Sequence, residues 1–399
     1  MSLSLVASRR SALFLLPLLA GFAALASGCS AAAEDRATVS SEDSTVNDEH
    51  DCDRNDGDDA SCATSPLVRV PSAAYPTIQS ALDLVASGTT IRIAAGTYRE
   101  TLRITGKTVR LVGNGITGAK ATTLAGVGEE GIVTFANGGG GLVRGIAFTG
   151  GAFGIAGVAG NGDLGTAAPG AVRVSRVSIA STGRGIFGTF PDLTVSHTTI
   201  ANTAWNGASV TTSKLFATQL TITDSGGVGI LVLNYDASGA QIVFDNVSAN
   251  RNAHGGLEVQ GGAVPVTVRS SSFVGNVHAG ISLLGVGTAT LDDVHADFSA
   301  TDPGGADGAG ILVDRSRAVN VANSHITFNA GFGIVNLSSA VILQTTNLIN
   351  NPINLDGETT SGPFTYDVTG GGVLCEDNFQ VVHCQVLSSQ LAPPPPILP

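Results

Sequence analysis

His254 and His278 each stand three residues before an apolar position that recurs along this chain of 399 residues, and Trp205, the one tryptophan, holds the same place two repeats earlier. If successive repeats stack as strands do, the two imidazoles come within about 5 Å of one another. Such a pair, with the indole nearby, can grip sugar rings or take part in proton transfer. The same spacing also describes a turn packed by flat side chains. A second group runs through Asp292, Asp293, His295, Asp297, Asp302 and Asp307. Asp293 falls where other repeats carry Val or Phe, so either a bulge turns it outward or the repeat holds a buried carboxylate. With His254 and His278 it is a candidate for catalysis. Clustered carboxylates on a rigid frame suit Ca2+, which would draw on Asp297, Asp302 and Asp307. Asp302-Pro303-Gly304-Gly305 is equally a plain loop. No other cofactor is indicated. Arg176, His197 and His295 share an outward polar column and, with Trp205, are the candidates for holding a substrate.

Five cysteines carry the remaining chemistry. Cys29 follows Arg9, Arg10 and an apolar run from Ala12 to Leu25, the pattern of an export signal. Leu25-Ala26-Ser27-Gly28-Cys29 resembles a bacterial lipoprotein cleavage site, which implies residues 1–29 as the signal and a lipid on Cys29. Cleavage near Ala31-Ala32-Ala33 is the alternative. Either way the protein is expected outside the cytoplasm, as an outer-membrane lipoprotein of the cell envelope or as a secreted protein. The apolar run is too short to remain as a span, so membrane contact is expected through lipid alone. Cys52 with Cys62 and Cys375 with Cys384 are close pairs, and an even number in an oxidising compartment favours two local disulfides. Zinc is the weaker reading, because neither pair has the Cys-x-x-Cys spacing.

Between Ser30 and Ser65 stand 11 acidic and two basic residues, a large share of the formal net charge of −12 on the whole chain. Residues 30–65 therefore read as an extended acidic spacer. The run from Asp51 to Asp59 fails as a calcium loop, since Asp56 occupies the place where the loop needs Gly. Acidity of this kind argues against nucleic acid as a partner.

The elements that must position these groups follow from a repeat of about 21 to 31 residues, a period that marks a solenoid. Aligned on its last apolar residue, the repeat runs through Ile155, Ile186, Ala208, Ile230, Leu257, Ile281, Ile311, Ile334 and Leu355, and Gly precedes most of them. A second apolar column holds Phe148, Ile179, Ile200, Ile222, Ala249, Phe273, Ile326 and Leu348. Pairs spaced by two, such as Val172/Val174, Leu193/Val195, Ile242/Phe244, Val266/Val268 and Val319/Val321, are strands with one face buried. Ser181, Thr203, Ser225, Asn252, Asn276, Asn329 and Asn350 form a polar ladder at a turn. The outward column runs Arg176, His197, Gln219, Asn246, Ser270, His295, Asn323 and Thr345. A row after the reference position, Phe187, Leu231, Leu233, Leu284, Leu312 and Leu337, is apolar where it should face outward, so something is expected to cover it. Three short strands per turn with no helical stripe between them predict an all-β, right-handed, single-stranded parallel β-helix of about 11 coils over residues 66–392. Residues 393–399 are a Pro-rich tail.

These repeats resemble those of the pectin-lyase-like superfamily. The opening is the more specific part: Tyr75-Pro76-Thr77-Ile78-Gln79-Ser80-Ala81-Leu82, then Gly96-Thr97-Tyr98-Arg99-Glu100 and Val109-Arg110-Leu111-Val112-Gly113. It is similar to the start of pectinesterases and of other secreted β-helix proteins. Ile78, Ala81, Leu82 and Val85 make one face of a short helix that can cap the first coil. The resemblance implies a fold and not an activity, because the catalytic motifs of pectinesterases and polygalacturonases are missing; His254-Gly255-Gly256 and Asp292-Asp293 are fragments in the wrong order. Two functions follow. The first is an exported, lipid-anchored surface protein that binds polysaccharide or serves as a scaffold without catalysis. The second is a lyase or hydrolase of uronic-acid polymers. Oligomeric state is not legible.

Overall fold

The chain divides into two units, Met1–Asp59 and Ala60–Pro399. The computed structural model describes residues 65–158, 168–234, 240–262, 264–301, 308–377 and 380–389, so Cys29, Cys52, Cys62, Asp302, Asp307, the signal, nearly all of the acidic spacer and the Pro-rich tail lie outside the described residues.

The second unit is a parallel β-helix. Each coil lays down a strand on a first face, turns sharply, lays a short strand on a second face, turns again and closes with a strand on a third. One coil illustrates it: Val172–Ser175, Ser178–Ala180 and Arg184–Phe190. Third-face strands stack into a sheet of 12, one more than the sequence count, while strands of the other two faces join in a sheet of 22. The reference column is in register throughout, since Ile155, Ile186, Ala208, Ile230, Leu257, Ile281, Ile311, Ile334 and Leu355 pair in succession. These residues and the second apolar column are buried in one continuous core.

The first and second corners are made by residues with left-handed backbone in most coils. At the first corner these are Arg176, His197, Gln219, Asn246, Ser270, Asp293, Asn323 and Thr345, all with φ between 44 and 55°. A single left-handed residue reverses the pleat and bends the strand, at a cost of about 1–2 kcal/mol for a side chain with a Cβ. The expected column was therefore correct at seven positions and wrong at one. Asp293, not His295, occupies the corner, because Leu291 pairs with Val268 and keeps the strand in step. Neither a bulge nor a buried carboxylate is needed, and Asp293 is exposed.

The polar ladder points inward just after the second corner. Asn276 Oδ1 accepts the backbone N–H and the side-chain amide of Asn252, both at 3.0 Å, and its own amide donates to Ala249 O at 2.9 Å. Asn351 and Asn329 repeat the arrangement at 3.0 and 2.9 Å. The ladder is offset by one residue at both ends of the expected set: Thr182 and Asn351 are buried in it, whereas Ser181 and Asn350 take the left-handed corner. Gly before most of the reference residues follows from this ladder. A Cβ on Gly256 would lie 2.5 Å from Gly280 O and 2.8 Å from Asn276 Nδ2.

The first coil is closed by a helix, α1, over Ile78–Leu84, capped by Thr77, which buries Ile78, Ala81 and Leu82. Glu100 accepts the N–H groups of Ile78 and Gln79 at 3.2 and 3.0 Å, and Lys107 Nζ donates to Leu82 O and Val85 O at 2.8 and 2.9 Å. Opposite charges thus sit at the ends where the helix dipole favours them. The Gly-Thr-Tyr-Arg-Glu run is accordingly a structural fastening. At the other end Cys375 stacks on Leu348 and forms a disulfide with Cys384. Among the described residues no helix is long and apolar enough to cross a membrane.

Candidate binding face around His295 and His325

Outward positions on the second face gather the chemistry. On the strand Thr288–His295, Val294 is buried and His295 points out; in the next coil Ile326 is buried and His325 points out. Parallel register pairs His295 with His325, and their rings stack with centroids 4.9 Å apart and planes 8° from parallel. His325 Nδ1 lies 3.4 Å from Asn347 Nδ2, which continues the row in the following coil. Two residues beyond His295, Asp297 is nearly buried. Its Oδ1 accepts the N–H and hydroxyl of Thr327 at 2.8 and 2.9 Å, and its Oδ2 lies 3.6 Å from His295 Nδ1. Asp297 is thus held through Oδ1 by Thr327, with His295 beside its other oxygen.

One residue further, the second corner carries Phe298 and Phe328. Their rings stack with centroids 5.2 Å apart and 4° between planes, and they are 56% and 43% exposed. Both have left-handed backbone, with φ of 57 and 56°. Other coils put Ser181, Asn202, Asp224, Arg251, Gly275 or Asn350 here, all but Arg251 residue types that tolerate the conformation. A bulky aromatic residue at this geometry is unusual. Towards the start of the chain the polar track continues through Asn250, whose Nδ2 donates to Ser248 Oγ at 2.7 Å and whose Oδ1 accepts Val274 N at 2.7 Å. At the first corner Asn323 Nδ2 donates to Asp292 Oδ1 at 2.8 Å. Together these groups make a face with stacked aromatic rings at one edge and hydrogen-bonding side chains along its centre.

The other expected residues are dispersed. His197 and Arg176 occupy the first corner four and five coils before Asp293, about 20–25 Å away at the inter-strand spacing. Trp205 is 63% exposed beyond the second corner, far from both histidines of the face. His254 and His278 are in adjacent coils as expected, but no ring stacking joins them: His254 is exposed with ordinary backbone, whereas His278 is half-buried with φ of 76°. A different pair, His295 and His325, stacks one corner away and two coils on. The signal for it was present as a repeated His-x-x-Phe, at His295 to Phe298 and at His325 to Phe328.

A second group stands on the outer side of the third face. The apolar stripe is there as two rows and not one: Phe187, Leu231 and Leu312 follow the reference residue, and Leu233, Leu284 and Leu337 stand two places further. Leu231, Leu312 and Leu337 are buried. Glu258 interrupts the stripe, buried, with its carboxylate hydrogen-bonded by Gln260. Burial holds its carboxyl above the ordinary range, against the opposing effects of Gln260 and His278. Asp314 is also fully buried and is paired with Arg315 at 2.8 Å. Among the described residues no group of three or more His, Cys, Asp or Glu side chains converges as a metal site.

Residues 130–294 match the family model described as the right-handed β-helix region, in agreement with the fold. No curated protein matches the chain. Solved structures of similar fold include the catalytic domain of a GH87 alpha-1,3-glucanase, at 14% identity over 82% of this chain and 66% of that one, with a TM-score of 0.52. Another is the A-module of the Azotobacter vinelandii mannuronan C-5 epimerase AlgE6, at 17% identity over 80% of this chain and 95% of that one, with a TM-score of 0.45. Pectate lyase Pel9A is similar at 13% identity, covering 80% and 82%, with a TM-score of 0.34. At these identities the likeness is one of fold, a right-handed parallel β-helix.

Proposed function

We propose that this chain is an exported, lipid-anchored β-helix protein that binds a polysaccharide along its second face without turning it over. The observation that carries the reading is the pair Phe298 and Phe328. Neither burial nor backbone preference explains two stacked, half-exposed phenylalanines at left-handed corners of adjacent coils. Left-handed corners belong to the fold, so what points to use is that two adjacent corners carry half-exposed aromatic rings. Flat apolar rings offer the C–H faces of sugars a surface, and His295, His325 and Asn347 offer their hydroxyls partners at coil spacing. The glucanase of similar fold was solved with tetrasaccharides, and a glycan is the ligand assigned here on the chemistry of the face. Export rests on the charged start and apolar run, and the anchor on Ser27-Gly28-Cys29. Mass spectrometry of the mature amino terminus tests the anchor, and a free terminus after Ala33 excludes it. Affinity electrophoresis on a panel of neutral and acidic polysaccharides tests binding.

One observation favours an enzyme acting on such a polymer. Asp297 faces His295 as an orienting carboxylate faces a general base, and the imidazole is solvent-exposed beside the aromatic pair. An enzyme of this kind would take a proton from a sugar ring carbon or from water at His295. Release of unsaturated or reducing products from a bound polysaccharide, lost in His295→Ala, decides between the two readings.

A further inference from the structure

A cleft of about 580 Å3 opens at the third corner, between three successive coils and a turn that crosses them. Arg315, Arg317, Ser338, Ser339, Pro363 and Thr365 line it. We propose that this cleft binds a sulfate or phosphate group, at a site separate from the second face.

Its walls are fixed before any ligand arrives. Ser316, between the two arginines, is buried, with Oγ accepting Val286 N at 3.2 Å and its N–H donating to Ser339 Oγ at 2.9 Å. This serine ladder holds the corner and leaves its neighbours facing out. On the opposite wall Ser338 Oγ accepts the N–H groups of Thr360, Ser361 and Gly362 at 3.0, 2.9 and 3.0 Å. Three successive amides on one hydroxyl pin the crossing turn against the coil. Asp314, fully buried, takes two guanidinium N–H groups of Arg315 on one oxygen, Nε at 2.9 Å and a terminal nitrogen at 2.8 Å. A buried carboxylate thereby aims a guanidinium that is itself half-exposed.

Charge and donor count select the ligand. Asp314 balances Arg315, whereas Arg317 forms no ion pair with a described carboxylate. The cleft is thus net cationic in a chain of net charge −12. A guanidinium carries five donors, and two of those on Arg315 are spent on Asp314. The three free oxygens of a sulfate or phosphate ester accept more of the remaining donors than the two oxygens of a carboxylate can.

Calorimetric titration of the mature protein at low ionic strength with inorganic phosphate, inorganic sulfate, glucose 6-phosphate and glucuronate tests this. We expect saturable binding of phosphate or sulfate, weakened at least tenfold in Arg317→Ala with an unchanged melting temperature. Arg315→Ala is unsuitable, because it would leave Asp314 buried and unpaired. Tighter binding of glucose 6-phosphate than of the free ion identifies an ester as the source, and equal binding identifies the ion. Absence of saturable binding by every probe, a preference for glucuronate, or an Arg317→Ala variant that binds like the parent overturns the proposal. Phe298→Ala should bind the anion as the parent does, so failure here and failure of the polysaccharide reading are separable.

Discussion

His295 and His325 stack at 4.9 Å because parallel register sets their Cα atoms opposite one another in adjacent coils. No packing interaction has to hold the rings together. The solenoid repeats a position, and a side chain placed there twice on matching backbone becomes a pair; His254 and His278, whose backbones differ, do not. Phe298 and Phe328 obey the same rule three residues on. In this fold a site is written as a column, and a ligand that itself repeats, as a polymer does, meets chemistry at a spacing of about 5 Å.

Phe298→Ala and Phe328→Ala should each weaken polysaccharide binding about tenfold, since one aromatic contact is worth about 0.5–1.5 kcal/mol beyond its area. Stability should change little, because both rings are half-exposed. Affinity electrophoresis with parallel thermal melts measures both. Retained affinity in the double variant would remove the second face from consideration.

Much of this was legible in the sequence. Apolar residues cannot be exchanged between faces, so the columns through Ile155 and Phe148 could be read by count alone. The errors arose where coil length changes. Counting three residues back from a second apolar position gives the first corner to His295, whereas the register advances through Leu291 and gives it to Asp293. Counting back from Ile186 and Leu355 places Ser181 and Asn350 in the ladder, but the turn there is one residue shorter than in the middle coils. Glu258 was missed because a lone acidic residue in Gly-Leu-Glu-Val looks like surface; the rows beside it bury it. Polar residues were the less legible class, since either side of a corner accepts them.

Asn276→Ala should destabilise the fold by about 1–3 kcal/mol, because it leaves the buried N–H of Asn252 without its acceptor. Asn246 presents a subtler case. An exposed Asn is expected to contribute little, yet its φ of 54° is left-handed, so Asn246→Ala should cost about 1 kcal/mol and Asn246→Gly less. Denaturant titrations of the three variants rank these effects. Equal stability of the Ala and Gly variants at position 246 would contradict the corner geometry.

Val268→Asp and Val174→Asp should prevent folding. Both valines are buried in the core, and an unpaired carboxylate there costs several kcal/mol or is forced neutral. Circular dichroism reads the outcome, and a native-like melt for the Val268 variant would refute the register.

Glu258 gives a pH signature. Burial raises its carboxyl above the ordinary value of 4.5, so between that value and the raised one the folded state holds more protons than the unfolded state. Stability must then fall as pH rises through this window and stay lower above it. Asp224 and Asp367 are lowered, by Arg251 and by Thr369 respectively, and slope the other way. Their contribution is common to parent and variant. The melting temperature of Glu258→Gln minus that of the parent should therefore be near zero below pH 4.5 and grow to a plateau at higher pH. A flat difference would place Glu258 in solvent.

The purified protein should release neither unsaturated nor reducing products from pectate, alginate or chondroitin, including those it binds. His295 and Asp297 provide an oriented imidazole, but a base alone does not make a lyase or a hydrolase. A lyase must also neutralise the sugar carboxylate, and a hydrolase needs a second acid across the scissile bond. Asp297 stands beside His295, its Oδ2 3.6 Å from the ring, so the two groups do not face one another across a scissile bond. His295→Ala should accordingly reduce affinity by no more than the Phe298 variant does, and Asp297→Asn should act mainly on stability through Thr327. If product is nevertheless found, the decisive comparison is between these variants and His254→Ala or His278→Ala. A loss of about a hundredfold in His295→Ala with affinity retained would identify a general base and replace the binding reading, whereas the same loss in His278→Ala would move the chemistry to the third face beside Glu258.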